Sequence, residues 1–211
     1  MDNNFPEIRI ERSWLLEEPA VHIAKFLDPL LVEHQRHFPA DKMAERVREY
    51  RIAWARYGGW MMRGMCDVLG LRFRHNIVDV HIVSFWPTAM SFPLIVPARY
   101  SPEQFPHTLT HELLHVLLTD NVQNVDTKKI LDKMLPAEMT SSCTRKHVMV
   151  QAAHKFLLLE TIVRPDILKH EIDRCDKFPD YRAGWEYVER IGYQNLITQY
   201  RELAGLGPPP L

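Results

Sequence analysis

Residues 108–119 read Thr-Leu-Thr-His-Glu-Leu-Leu-His-Val-Leu-Leu-Thr, and the rest of the chain is most simply explained as support for them. The run contains the pattern H-E-x-x-H as His111, Glu112 and His115. Residues four apart lie one above the other on one face of an α-helix. The two imidazoles can therefore each present a nitrogen to the same divalent cation. Glu112 lies slightly to one side, where its carboxylate can reach a water on that cation as a general base.

The flanking residues favour a buried helix around this pattern. No Pro or Gly interrupts the run from His107 to Thr119. An apolar stripe opposite the histidines would bury the helix, and it consists of Leu109, Leu113, Val116 and Leu117. The alternative is a core helix whose histidines merely form hydrogen bonds.

The segment resembles the active-site helix of the zincin metallopeptidases, which carry H-E-x-x-H between uncharged residues. His111, Glu112 and His115 match that motif residue by residue. The resemblance covers about a dozen residues directly. It implies that the two histidines bind Zn2+, that Glu112 is the general base, and that a third ligand lies further along the chain.

Composition limits the classes of partner. The chain has 211 residues and a formal net charge of −1, so no strong electrostatic field favours nucleic acid or an anionic membrane. The cysteines Cys66, Cys143 and Cys175 are scattered and odd in number, which favours a reducing compartment over a disulfide framework. The N-terminus lacks the pattern of a secretory signal, and no apolar run reaches the length of a membrane span. We therefore expect a cytoplasmic protein.

Residues 1–70 are predicted to form an N-terminal helical part. Residues 1–10 have the character of a polar lead-in. Ser13 can cap a first helix, and apolar residues at helical spacing continue it through Val21 and Phe26.

Further helix follows in the same N-terminal part. Asp41 is a suitable N-cap for it. Gly58-Gly59 is expected to interrupt this helix, and a last short helix is expected to end at Gly70.

Residues 71–211 are predicted to form a zincin-like catalytic part, and we expect the two parts to form one compact domain. Leu71–His75 and Ile77–Ser84 alternate between apolar and polar residues, as strands do. A short strand is expected at Phe92–Val96, and Pro93 favours an edge position for it. Zincins commonly bind peptides along such an edge, so the substrate strand would consist of Phe92, Leu94, Ile95 and Val96. The alternative is an ordinary edge strand covered by a loop.

A catalytic zinc usually has three protein ligands and one open position. The downstream candidates for the third ligand are Asp120, Asp126, Glu138, His147, His154 and Glu160. An apolar helix is predicted over Thr144–Val163, and His147 and His154 lie on one face of it with Gln151 between them. We expect His147 to be the ligand and His154 to be its closest rival. The gluzincin pattern instead implies a glutamate from a following helix, which makes Glu160 the third possibility.

The sequence thus predicts an α+β, zincin-like fold, mostly helical, with a small antiparallel sheet whose edge strand precedes the active-site helix. The predicted function is that of a zinc-dependent hydrolase, most simply a metallopeptidase acting on a peptide or protein. One alternative is a regulatory or interaction protein that binds the metal and has no catalytic activity. Another is a helical interaction protein without metal.

Overall fold

The computed structural model describes residues 5–17, 19, 22 and 37–209. Residues 14–17 are helical, whereas the expected continuation of that helix at Val21 and Phe26 lies outside the described residues. The described elements are, in chain order, β1 (Glu7–Arg12), a 3-10 turn (Ala40–Lys42), α1 (Met43–Leu69), β2 (Ile77–Val83), β3 (Met90–Ser91), β4 (Leu94–Pro97), α2 (Phe105–Asp120), α3 (Thr127–Met134), α4 (Ser142–Phe156), a π-helical turn (Leu157–Thr161), α5 (Pro165–Cys175), α6 (Pro179–Ile191) and α7 (Tyr193–Leu203). The expected mixed α and β composition, mostly helical, is confirmed.

The chain divides into two compact units. The sheet unit comprises Met1–Gly59 and His75–Val116, and the helical unit comprises Trp60–Arg74 and Leu117–Leu211.

Within the described residues, the sheet unit contains one four-stranded sheet in the order β1-β2-β4-β3. β1 pairs with β2 in parallel, β2 pairs with β4 in parallel, and β3 pairs with β4 antiparallel. The predicted alternation of β2 is confirmed, because Val78, Val80 and Ile82 are buried while Ile77 and Asp79 are exposed. The sheet therefore has one face against a core.

Four expectations about the strands are wrong. The sheet is mixed rather than antiparallel, because the segments preceding β2 and β4 are long enough to return the chain in the same direction. The strand predicted at Phe92–Val96 forms as β4, yet it is flanked by β2 and β3 and is not an edge. β4 is buried because it lies between two other strands. The edge strand on this side of the sheet is the two-residue β3. Leu71–His75 forms no strand, whereas the supposed polar lead-in supplies β1.

Helix α1 runs without a break through the glycine pair expected to interrupt it. Each glycine costs a helix about 1 kcal/mol relative to alanine, and the burial of apolar side chains along α1 exceeds that cost. Gly58 also has a packing role, since a Cβ there would lie 2.5 Å from the indole of Trp54.

Tyr50 connects α1 to the start of α2 within the sheet unit. Its ring stacks on Phe105 with centroids 3.9 Å apart, and its hydroxyl donates to the carbonyl oxygen of Tyr100 at 2.8 Å. Arg46, one turn earlier, donates to the same carbonyl at 3.0 Å. These contacts fix the chain just before the H-E-x-x-H helix.

In the helical unit, α4 packs against α6 and α7. Helix α1 ends at Leu69, and the φ of 68° at the next residue, Gly70, is the left-handed conformation typical of a residue just past a helix. Arg201 of α7 is buried and donates to the last-turn carbonyl oxygens of Asp67 and Val68. The guanidinium thus satisfies acceptors that the helix end leaves open.

Among the helices that the structure describes, none combines the length and the apolar character needed to cross a membrane.

Candidate metal centre

Helix α2 begins at a reciprocal cap. The backbone N–H of Gln104 donates to Ser101 Oγ at 3.2 Å, and the Ser101 N–H donates to Gln104 Oε1 at 3.1 Å. This arrangement is a capping box, and it resolves how the turn at Ser101 joins the motif helix. Pro106 lies in the first turn, where a missing N–H breaks no helical hydrogen bond.

The H-E-x-x-H residues lie on a helix that is buried on nearly all sides. The predicted apolar stripe is confirmed as buried, and His111 and Glu112 are only 6% and 8% exposed. The rings of His111 and His115 approach edge to face with centroids 5.2 Å apart. One turn of helix therefore places the two imidazoles side by side, as their spacing predicts.

A side chain of the sheet holds the Glu112 carboxylate through a hydrogen bond. Ser91 Oγ of β3 donates to Glu112 Oε2 at 2.6 Å, a length typical of a hydrogen bond to a charged acceptor. A buried carboxylate needs such donors, because burial without them carries a large free-energy cost.

His147 lies on α4, which begins at the N-cap Ser141. Its Nδ1 is 2.7 Å from the carbonyl oxygen of Cys143, so Nδ1 carries the proton and donates it. The lone pair then belongs to Nε2, which is the nitrogen able to bind a metal. Burial lowers the pKa of His147 and favours the neutral ring, and Tyr181 packs against that ring at 4.2 Å.

A second buried group lies further along the helical unit. His154 is fully buried, and that burial lowers its pKa. Glu171 of α5 is also buried and accepts two hydrogen bonds from Arg174, at 2.6 and 3.2 Å. Burial opposes the charged form of Glu171, but the charge and hydrogen bonds of Arg174 outweigh it, so the pKa of Glu171 is lowered. A neutral imidazole and an ionised carboxylate are both in the form that a metal ion requires.

Side chains that could bind a metal ion lie in both units. The sheet unit offers His111 and His115, and the helical unit offers His147, His154 and Glu171. All of them except the partly buried His115 are buried.

Three of the other expected ligands are exposed or have a different role. Glu160 lies in the π-helical turn, is exposed, and accepts a hydrogen bond from Tyr193 at 2.5 Å. Asp126 caps α3 by accepting from the N–H of Lys129, and Glu138 is exposed.

Two residues that contact or lie near the predicted side chains, Ser91 in the sheet unit and Glu171 in the helical unit, were not predicted from the sequence. Glu171 did leave a signal, because it lies on the apolar face of α5 between Leu168 and Cys175, and a charge on such a face needs a partner. No sequence pattern indicated a role for Ser91, because a serine between a turn and a proline has many ordinary roles.

The predicted substrate strand is mostly inaccessible. Leu94, Ile95 and Val96 are buried, and only Phe92, outside β4, is more than half exposed.

Comparison with protein-family models, curated proteins and solved structures yields no match to this chain. The resemblance to zincins therefore rests on His111, Glu112 and His115 alone.

Proposed function

We propose that the protein is a zinc-dependent hydrolase with a zincin-like active site, most simply a metallopeptidase. The observation that carries this proposal is the face of α2 on which His111 and His115 lie side by side, with buried Glu112 beside them. A core helix whose histidines only formed hydrogen bonds would not need a buried carboxylate adjacent to the pair.

The donor atoms fit zinc. Imidazole nitrogen is a preferred ligand of Zn2+, and three protein ligands are the usual number in a catalytic site. We assign His147 as the third ligand, since its Nδ1–H donates to the carbonyl oxygen of Cys143 and the lone pair of the neutral ring is then on Nε2. Histidines that bind a metal through one ring nitrogen commonly donate a hydrogen bond from the other, and that hydrogen bond fixes the orientation of the ring.

When bound, zinc supplies a Lewis acid that brings the pKa of a coordinated water to about 7. Glu112 accepts the proton of the attacking water and passes it to the leaving amine. The burial of Glu112 and His111 limits the access of bulk water and strengthens the electrostatic interactions there.

Purification of the full chain without chelator, followed by metal analysis and a screen with a fluorogenic peptide library, tests the proposal. We expect stoichiometric zinc and measurable hydrolysis. Glu112→Gln should keep the zinc and lower kcat by at least about 100-fold, since a positioned base contributes about that much or more. Glu138→Gln, a change at an exposed glutamate, is the matched control and should change neither the zinc content nor kcat. A Glu112→Gln variant that hydrolyses the peptide at the wild-type rate would show that the base is wrongly assigned.

His154 and Glu171 of the helical unit support a different function. Both are buried, at 0% and 7% exposure, as the ligands of a closed structural metal site are. In that case the chain binds a metal for stability and acts as a regulatory or interaction protein. Full zinc occupancy without hydrolysis of any peptide in the library would favour this function.

A further inference from the structure

The hydrogen bond between Ser91 and Glu112 joins two different elements of the sheet unit. Ser91 belongs to β3, and its register opposite Leu94 of β4 fixes its backbone. Leu94 is buried, and β4 is in turn paired with β2. The Ser91 hydroxyl is therefore presented from a sheet of fixed geometry, and a serine side chain has only one torsion to settle.

Glu112 differs in this respect, because a glutamate side chain rotates about three bonds between the helix and its carboxylate. A general base must lie within hydrogen-bond reach of the proton that it takes, and misplacement of about 1 Å can lower a rate 100-fold. A contact of 2.6 Å to one carboxylate oxygen restricts all three torsions together. The sheet thus determines where the base carboxylate of the helix lies.

We propose that Ser91 is the positioning residue of Glu112, holding the carboxylate in the orientation from which it acts as general base. The proposal rests on the proposed function. Strand β3 then contributes to catalysis through the Ser91 side chain. This role does not depend on whether the substrate binds along the sheet.

The test compares four forms of the zinc-loaded full chain: wild type, Ser91→Ala, Ser91→Thr and Thr88→Ala. Thr88 carries an exposed hydroxyl in the segment before β3, so its variant is the control. The substrate is the fluorogenic peptide that the wild type hydrolyses fastest, and kcat, KM and zinc content are measured for each form. We expect Ser91→Ala to lower kcat about tenfold, the size of one hydrogen bond, with KM within about twofold. Zinc content should not change, and Ser91→Thr should restore most of kcat.

A Ser91→Ala variant with wild-type kcat, or a Ser91→Thr variant as slow as Ser91→Ala, overturns the proposal while the proposed function stands. Absence of hydrolysis by the zinc-loaded wild type overturns both. A double-mutant cycle with Glu112→Gln on the unfolding equilibrium supplies a readout that does not depend on activity. Coupled effects of the two substitutions on unfolding support the contact, and independent effects overturn it.

Discussion

His147 and His154 lie two turns apart on α4, but their rings have different surroundings. The His147 ring donates through Nδ1 to a helix carbonyl and packs against Tyr181. His154 is fully buried and near Glu171, whose charge acts on its pKa. Under the proposed function, His147 is a zinc ligand and His154 is not.

We therefore expect His147→Ala to lower zinc affinity by well over about 100-fold, whereas His154→Ala should lower it by about tenfold, the lower end of the range for residues beyond the ligands. Competition with a chromophoric chelator measures both affinities, and His75→Ala, a change at an exposed histidine, is the control. The reverse order of the two effects would make His154, near Glu171, the ligand in place of His147.

Among the individual site residues, the sequence predicted those whose spacing along a single helix brings them together. His111, Glu112 and His115 needed nothing beyond the helical period. Ser91 and Glu171 come from separate elements, and their places depend on long-range packing that no local pattern contains.

Among the elements, α1 shows how packing overrides local preference. The two adjacent glycines in its middle have different surroundings, because a Cβ at Gly58 would overlap the Trp54 indole, whereas a Cβ at Gly59 meets nothing within 4 Å. The indole is rigid and Trp54 is mostly buried, so the ring has little room to move away.

Gly58→Ala and Gly59→Ala should therefore change stability in opposite directions. We expect Gly59→Ala to raise the free energy of unfolding by about 0.5–1 kcal/mol through the helical preference of alanine. Gly58→Ala should lower it by about 1–3 kcal/mol, the usual cost of overpacking. Urea unfolding of the two variants beside the wild type measures both, and equal effects at the two positions would contradict the packing assigned to Trp54.

Helices and strands with regularly spaced apolar residues could be predicted from the sequence, whereas short strands could not. Helix α2 and strand β2 carry periodic apolar residues that match their burial. β1 alternates Ile8 and Ile10 with charged residues, but it is short and becomes a strand through its parallel pairing with β2, far along the chain. The place of β4 between β2 and β3 likewise depends on partners, and Pro93 in the preceding turn gave a misleading signal for an edge.

For the whole molecule, the buried histidines link stability to pH. Burial lowers the pKa of both His147 and His154 below the ordinary value of 6.5. As pH falls through 6.5, the unfolded chain takes up protons at these rings and the folded chain does not yet do so. The unfolded state then binds more protons, so the free energy of unfolding falls with falling pH.

We expect the metal-free protein, kept in EDTA, to lose up to about 1.4 kcal/mol of stability per histidine for each pH unit below 6.5. Urea unfolding at several pH values between 5.5 and 7.5 measures this. The double variant His147→Gln with His154→Gln should show a weaker dependence over the same interval, with His75→Gln as control. An identical pH dependence in the double variant would contradict the assignment.

The described sheet has edges that differ in kind. On one side, β3 offers only two residues, and on the other, β1 exposes Glu7, Arg9 and Glu11. A strand from a neighbouring molecule would find few main-chain partners at the first edge and would have to strip water from charged groups at the second. We expect the folded protein to resist cross-molecular sheet growth even in concentrated solution, so that any fibrous aggregate originates from unfolded chains.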